Sequence, residues 1–490
     1  MNINRALPAR GICFAFALLV AAVSGASAQV PVYRSDNPPA TPALASLPLV
    51  TSLTKDGITW TFSQAVRAGQ FVTGDYYVVG PVTVTSISPT PTAGRNGSVV
   101  NLPGCRSPNT EKSGFDDRVS GGRYDSSLRA ALPIQLKPGD ALTSSISVQT
   151  VGALKQVMRP ETATTSPVQS VSVLTSVSEP LPPDAFRPSY CGLQSTFYYS
   201  RNLRRDLLPR LAPVTGTPSI SQFAGYLRRP WIDTLYYGFD APVEYMPDYG
   251  REVARVVGNA ALLLTLNATE AEKEALLVYL VQRGIDLFGV VSAGHPGWHA
   301  HGGHGSGRKL PILLAGRLLG ESRMLAPPGK YGEDMHTVIA TAPPYGPGWS
   351  GATALFTGHM GLGGESVKPG WGPYEHLQPR DWLATAIGED YRRCCTSVAW
   401  VGQALAAKLI GAESAWAHPA FFAYVNRWMN TDDAQDVATI KSQTGLDYSA
   451  SWMRHGQAWD AFVTNMWKTY SGQTAAVSVP APTNLRVVSP

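Results

Sequence analysis

The hydrophobic pattern of this chain changes period once, at a Pro-rich joint, Glu179-Pro180-Leu181-Pro182-Pro183. Ahead of the joint, over residues 57–177, apolar and polar residues alternate, as in Ile58-Thr59-Trp60-Thr61-Phe62 and again over 82–87. A period of two places successive side chains on opposite faces of a strand. Further strands are expected at 76–84, 130–136, 141–149 and 168–177, with Pro and Gly between them. These segments predict an antiparallel β-sandwich over residues 51–178.

Beyond the joint the period becomes helical. Val253, Val256, Val257, Ala260, Leu263 and Leu264 recur on one side of a helix expected over 251–266. Thr269 with Glu272 forms a capping box for the next helix, over 275–288. Others are expected at 309–319, 396–410, 419–429 (with Pro419 in its first turn) and 451–470. Helices this apolar need partners on more than one side. Stacked antiparallel pairs in a ring supply them, so residues 231–470 read as an all-α, (α/α) toroid-like domain. Residues 179–230 read as a linker and entry segment. The fold class is therefore multidomain α and β.

The two ends carry other signals. Arg5 and Arg10 precede a 13-residue apolar stretch, residues 11–23, and Ala26-Ser27-Ala28 is a small-x-small cleavage site. This predicts a signal peptide over 1–28 and an exported, periplasmic or extracellular protein. No later segment reads as membrane-spanning. Residues 29–50 form an extended leader, and 471–490 a polar tail in which Pro482-Thr483-Asn484-Leu485-Arg486-Val487-Val488 resembles the opening strand of a fibronectin type III module. Four cysteines follow the signal: Cys105, Cys191, Cys394 and Cys395. Export permits disulfides. The adjacent pair can bridge within itself, leaving Cys105 with Cys191, or each of its members can pair with one of the other two. The net charge is +5 without a basic block, which argues against a nucleic-acid partner.

The chemistry-bearing residues cluster after the joint, where all nine His and eleven of the twelve Trp lie. The densest stretch runs from Gly294 to Lys309, with His295, His299, His301 and His304 among six glycines. A Gly-rich turn exposes backbone N–H groups, and a following helix N-terminus favours an anion. His299 and His304, with Tyr331, are candidates for proton transfer, because imidazole titrates near neutrality. Arg308 is the candidate carboxylate clamp and Lys309 a second cation. Trp298, Trp371, Tyr374, His376 and Arg392 are candidates for substrate binding: the rings stack on sugars, Glu375 beside His376 offers a carboxylate–imidazole pair, and a guanidinium grips a carboxylate. Glu244, Asp248, Glu333 and Asp334 are the alternative acid/base set. His299, His301, His304 and His336 form a candidate metal set, although no standard zinc spacing occurs.

The plan of residues 57–470, with Trp298-His299-Ala300-His301-Gly302-Gly303-His304-Gly305-Ser306-Gly307-Arg308-Lys309-Leu310-Pro311 as its most suggestive stretch, resembles exported polysaccharide-degrading enzymes that join a β-sandwich to an (α/α) toroid. Several lyase and glycoside hydrolase families share that layout; the β domain coming first is closer to some hydrolases. The expected activity is β-elimination on a uronic-acid polysaccharide, because His, Tyr and Arg outnumber obvious acid pairs. A glycoside hydrolase with paired carboxylates, a metal-dependent hydrolase and a non-catalytic carbohydrate-binding surface protein are the alternatives. The leading reading needs no cofactor; zinc or calcium enters only with the metal set. The partner is a polysaccharide or oligosaccharide, and the oligomeric state is not legible.

Overall fold

The computed structural model describes residues 29–106, 112–192, 196–234, 245–341, 345–362, 371–382 and 387–473. The expected signal segment, Glu244 and the fibronectin-like strand lie outside the described residues.

Among the described residues, ten strands precede the joint: β1 (Leu49–Lys55), β2 (Ile58–Gln70), β3 (Tyr76–Val79), β4 (Val82–Ser88), β5 (Ser98–Val100), β6 (Ile134–Leu136), β7 (Ala141–Ser147), β8 (Lys155–Gln156), β9 (Arg159–Ala163) and β10 (Val168–Val177). They form a curled mixed sheet, a half-barrel ordered β5-β7-β10-β3-β2-β4-β6, with β1 also on β2 and with β8–β9 as a separate hairpin. The curl comes from β2. Val50 faces Val66 but Ser52 faces Thr61, so residues 62–65 of β2 bulge against Thr51 alone. Its first half pairs with β4, and its last residues with β3. A bulge of this kind bends a strand and sharpens its twist.

The antiparallel sandwich expected from the alternation is corrected in two respects. Eight of the strands share one bent sheet, and β10 pairs with β3 in parallel. The concave side is apolar, with Trp60, Phe62, Val84, Leu136 and Leu174 in one cluster. Val171 and Val173 of β10 belong instead to the helical core. β10 is thus buried on both faces, and its continuous apolar run follows from that.

The helical part contains α1 (Ile220–Leu227), α2 (Gly250–Leu264), α3 (Glu270–Ser292), α4 (Lys309–Leu319), α5 (Gly332–Met335), α6 (Ile387–Tyr391), α7 (Ser397–Leu409), α8 (Glu413–Trp416), α9 (Pro419–Asn430), α10 (Ala434–Thr444) and α11 (Ala461–Tyr470). The capping box at Thr269 and Glu272 is present, and Pro419 is at the first position of α9. All of α2 is buried. It crosses α7 where Gly258 meets Gly402; a Cβ on Gly258 would lie 3.1 Å from the Gln403 nitrogen. By length and composition α3 could cross a membrane, but 89% of its apolar window is buried inside the protein, which makes it a core helix.

Three local expectations change. The 451–470 helix is a 3-10 turn (Ser451–Met453) followed by α11, with Gly456 at φ +78° between them. The entry segment contains α1, packed on α3. The polar α10 carries little apolar periodicity, and only Val437 and Ile440 of it are buried. Of the open cysteine pairings, the protein has Cys105–Cys191 and Cys394–Cys395. Both bridges suit an oxidising compartment.

Candidate functional site

Four segments meet at one end of the helices: the start of α2, the His-rich loop before α4, the loop after Phe356, and the π-helical turn Arg392–Thr396 between α6 and α7. The His301 ring lies 5.5 Å from that of His304 and 4.8 Å from that of His359, centroid to centroid. Tyr391 packs edge-on to His359 at 4.3 Å, Trp371 at 5.1 Å, and Tyr249 to His304 at 4.6 Å.

Local backbone demands explain how these rings come together. Gly302 takes φ +55°. A Cβ there would stand 2.3 Å from the Tyr391 ring and 3.1 Å from His359 Cε1, so a side chain would push the two loops apart. The Gly302 amide donates to His359 O at 2.7 Å. His336 ties the same loops from below: Nδ1 lies 2.8 Å from Gly358 O, and Nε2 lies 2.8 Å from Gly302 O. Behind the cluster sits the Cys394–Cys395 disulfide, with Arg251 donating to Cys394 O at 3.0 Å. π-turns are rare and recur at functional sites.

Burial sets the electrostatics. It pulls His304 down to about 3, helped by His301, Arg308 and His359. It pulls His359 down to about 3 as well, helped by His301 and His336. Both imidazoles are therefore neutral near pH 7. Burial pushes the Tyr249 phenol up, which keeps it protonated. Its oxygen accepts from the Gly303 amide at 3.0 Å, so its own O–H remains a donor.

Several residues expected in the site are committed elsewhere. Arg308 is buried, with Nε and Nη2 each 3.0 Å from Asp233, which Arg283 also grips. Burial alone would raise Asp233, but Arg308 and Arg283 outweigh it and hold the carboxylate low. Lys309 pairs with Asp334 and donates to Trp416 O. Arg392 is buried against Glu389, Tyr424 and His455. Trp298 is buried and donates to Asp233 O at 3.2 Å. Tyr331 donates to Pro328 O at 2.9 Å, and Tyr374 to Glu389 at 2.6 Å.

Glu375 does not face His376; its carboxylate takes the Arg427 fork and the Phe356 amide. His376 packs edge-on to Tyr345, and burial lowers it. His299 is half-buried, lowered by burial and by Lys330. The anion expected at the start of α4 is internal: Glu333 accepts from the Gly307 amide at 2.6 Å and from Gln403 at 3.0 Å. Asp334 also accepts from Trp416, while Asp248 accepts from Thr164 and Gln156 of the sheet domain. Of the candidate metal set, His301 and His304 lie side by side, while His336 has both ring nitrogens on carbonyls. Among the described residues no three His, Cys, Asp or Glu side chains are placed to hold a metal ion.

The structure thus gathers His301 and His304 with Trp371, and adds His359, Tyr249 and Tyr391. The sequence carries a signal for His359, which lies in Gly358-His359-Met360-Gly361, a second His between glycines. Tyr391 directly precedes the turn that bears the disulfide. Two cavities lie elsewhere. One, of about 430 Å³, is lined by Arg34, Arg205 and Lys273, whose charged groups are taken by Glu270, Glu274 and the carbonyls of Leu264 and Leu266. Another, of about 500 Å³, is an apolar groove between the leader and β2–β3. Neither brings together proton-transfer groups as the histidine cluster does. No family model, curated protein or solved structure matches the chain.

Proposed function

We propose that this chain is an exported polysaccharide lyase that cleaves a uronic-acid-containing polymer by β-elimination at the cluster of His301, His304, His359, Tyr249 and Tyr391. The single observation that carries this reading is the packing of three imidazoles between two phenols on Gly-rich loops. In elimination a base removes the C5 proton, the C4–O bond breaks, C4=C5 forms, and an acid protonates the departing oxygen. His304 is the base in this scheme. An anionic sugar beside it favours the imidazolium and raises its basicity. Tyr249, kept protonated by burial, supplies the proton to the leaving oxygen. The helices then belong to an incomplete (α/α) ring whose loops carry the site, and residues 1–28 direct export.

The placement of the carboxylates supports this reading over hydrolysis. A glycoside hydrolase needs two acids facing the bond, about 5–9.5 Å apart. Glu333 is fully buried, and Asp334 and Asp248 are held by neighbouring side chains. The test is a panel of anionic and neutral polysaccharides, read both by the ultraviolet absorbance of the unsaturated uronate and by new reducing ends. Both signals rising together on an acidic polymer is the expected result. Reducing ends without the absorbance would replace elimination with hydrolysis.

A further inference from the structure

We propose that Trp452 and Trp459 form a second sugar-binding station on a track leading from the histidine cluster, so that the protein grips a glycan chain along its length rather than only at the scissile bond. This inference rests on the carbohydrate reading above and extends it to the mode of binding.

Trp452 is 43% exposed, on the turn Ser451–Met453, whereas Trp60, Trp231, Trp298, Trp400, Trp416 and Trp428 are fully buried. It meets Trp459 at 5.7 Å with the ring planes 65° apart. Trp459 is clamped from the inner side. The Arg251 guanidinium lies 4.2 Å from its ring centroid and that of Arg255 lies 5.2 Å away. Arg255 is itself fixed by a two-pronged bond to Asp460, at 2.9 and 2.7 Å, and donates to Met158 O of the β8–β9 hairpin. The Trp459 amide donates to Val398 O at 2.9 Å. This pair is therefore pre-shaped, and stacking on it sacrifices little side-chain freedom.

Continuity with the candidate site comes through Arg251. Its guanidinium also lies 5.6 Å from the Tyr249 ring, and Tyr249 touches His304. Ring-to-ring and cation-to-ring contacts thus run unbroken from Trp452 through Trp459, Arg251, Tyr249, His304, His301 and His359 to Trp371. A pyranose presents an apolar C–H face to such rings.

The test is affinity electrophoresis of the full-length protein in gels containing polygalacturonate, alginate, hyaluronan or xylan. Wild type, Trp452→Ala and His304→Ala are compared. Wild type and H304A should be retarded in at least one gel, with W452A bound roughly tenfold more weakly, the loss of about one stacking contact. On that glycan, hexasaccharide affinity should fall in W452A while disaccharide affinity holds. Equal retardation of W452A and wild type, or no retardation of wild type in any gel, overturns the station. Binding that depends on Trp452 without unsaturated product retains the station and removes the lyase. Product formation unaffected by W452A does the reverse.

Discussion

The Tyr249 hydroxyl accepts the Gly303 amide hydrogen at 3.0 Å, joining the first residue before α2 to the loop that carries His301 and His304. One oxygen thus does two things: it fixes the loop and keeps its own proton to donate. Tyr249→Phe removes both. In the lyase scheme kcat should fall by about a hundredfold or more. Leaving the Gly303 amide without its acceptor should cost about 1–3 kcal/mol in urea unfolding. A normal kcat with only the stability loss would remove Tyr249 from proton transfer.

The proposed division of labour separates histidines from carboxylates. His304→Ala should lower kcat by about a hundredfold or more while glycan affinity holds, because a base acts in the transition state and not in binding. Glu333→Gln should retain activity within a few fold, since the amide can keep the Gly307 contact through its oxygen. Steady-state rates of the two variants on the same polymer decide the matter. An inactive E333Q that folds normally would return the search to the carboxylates.

Arg308 illustrates how a substrate clamp differs from an internal tie. It shares buried Asp233 with Arg283, and all three side chains are almost wholly out of water. Asp233→Ala strands two guanidinium groups and should cost about 3–5 kcal/mol. Arg308→Ala should likewise lower the Tm. If Arg308 held the sugar carboxylate, its loss would raise KM with the melting temperature unchanged. Thermal unfolding of both variants beside a KM measurement distinguishes the two roles.

Local signals were legible and distant partners were not. The alternation of Ile58 to Phe62 marked a strand, and the Thr269–Glu272 box and Pro419 marked helix starts, because each rests on residues a few positions apart. The His-rich loop stood out for the same reason. What spacing cannot give is which side chain occupies an expected role. Arg308 is the expected carboxylate clamp beside its loop, yet its acid, Asp233, stands on a separate segment. Tyr374 and Arg392 looked like sugar-binding groups until Glu389 took both. The parallel pairing of β10 with β3 depends on how the chain returns between them, which alternation does not encode. His359 reaches His301, and Tyr391 reaches His359, only because Gly302 lets three segments close.

His336 carries the clearest dependence on pH. It is fully buried between Gly302 O and Gly358 O; the two carbonyls favour its cation, but burial outweighs them and lowers it to about 4. In the unfolded chain the ring titrates near 6.5. Between those values the unfolded state binds the proton and the native state does not, so stability rises with pH across the window. The contribution is complete above about 6.5 and is lost as the pH falls towards 4, amounting to about 3 kcal/mol. His304 and His359, lowered to about 3, act in the same direction. Glu333, raised by burial, acts in the opposite direction, because its native form holds the proton longer. Urea midpoints at pH 7, 5.5 and 4.5 should therefore fall more steeply in wild type than in His336→Gln, which cannot take up the proton. Parallel pH profiles for the two proteins would mean that His336 is not the buried neutral ring this geometry requires.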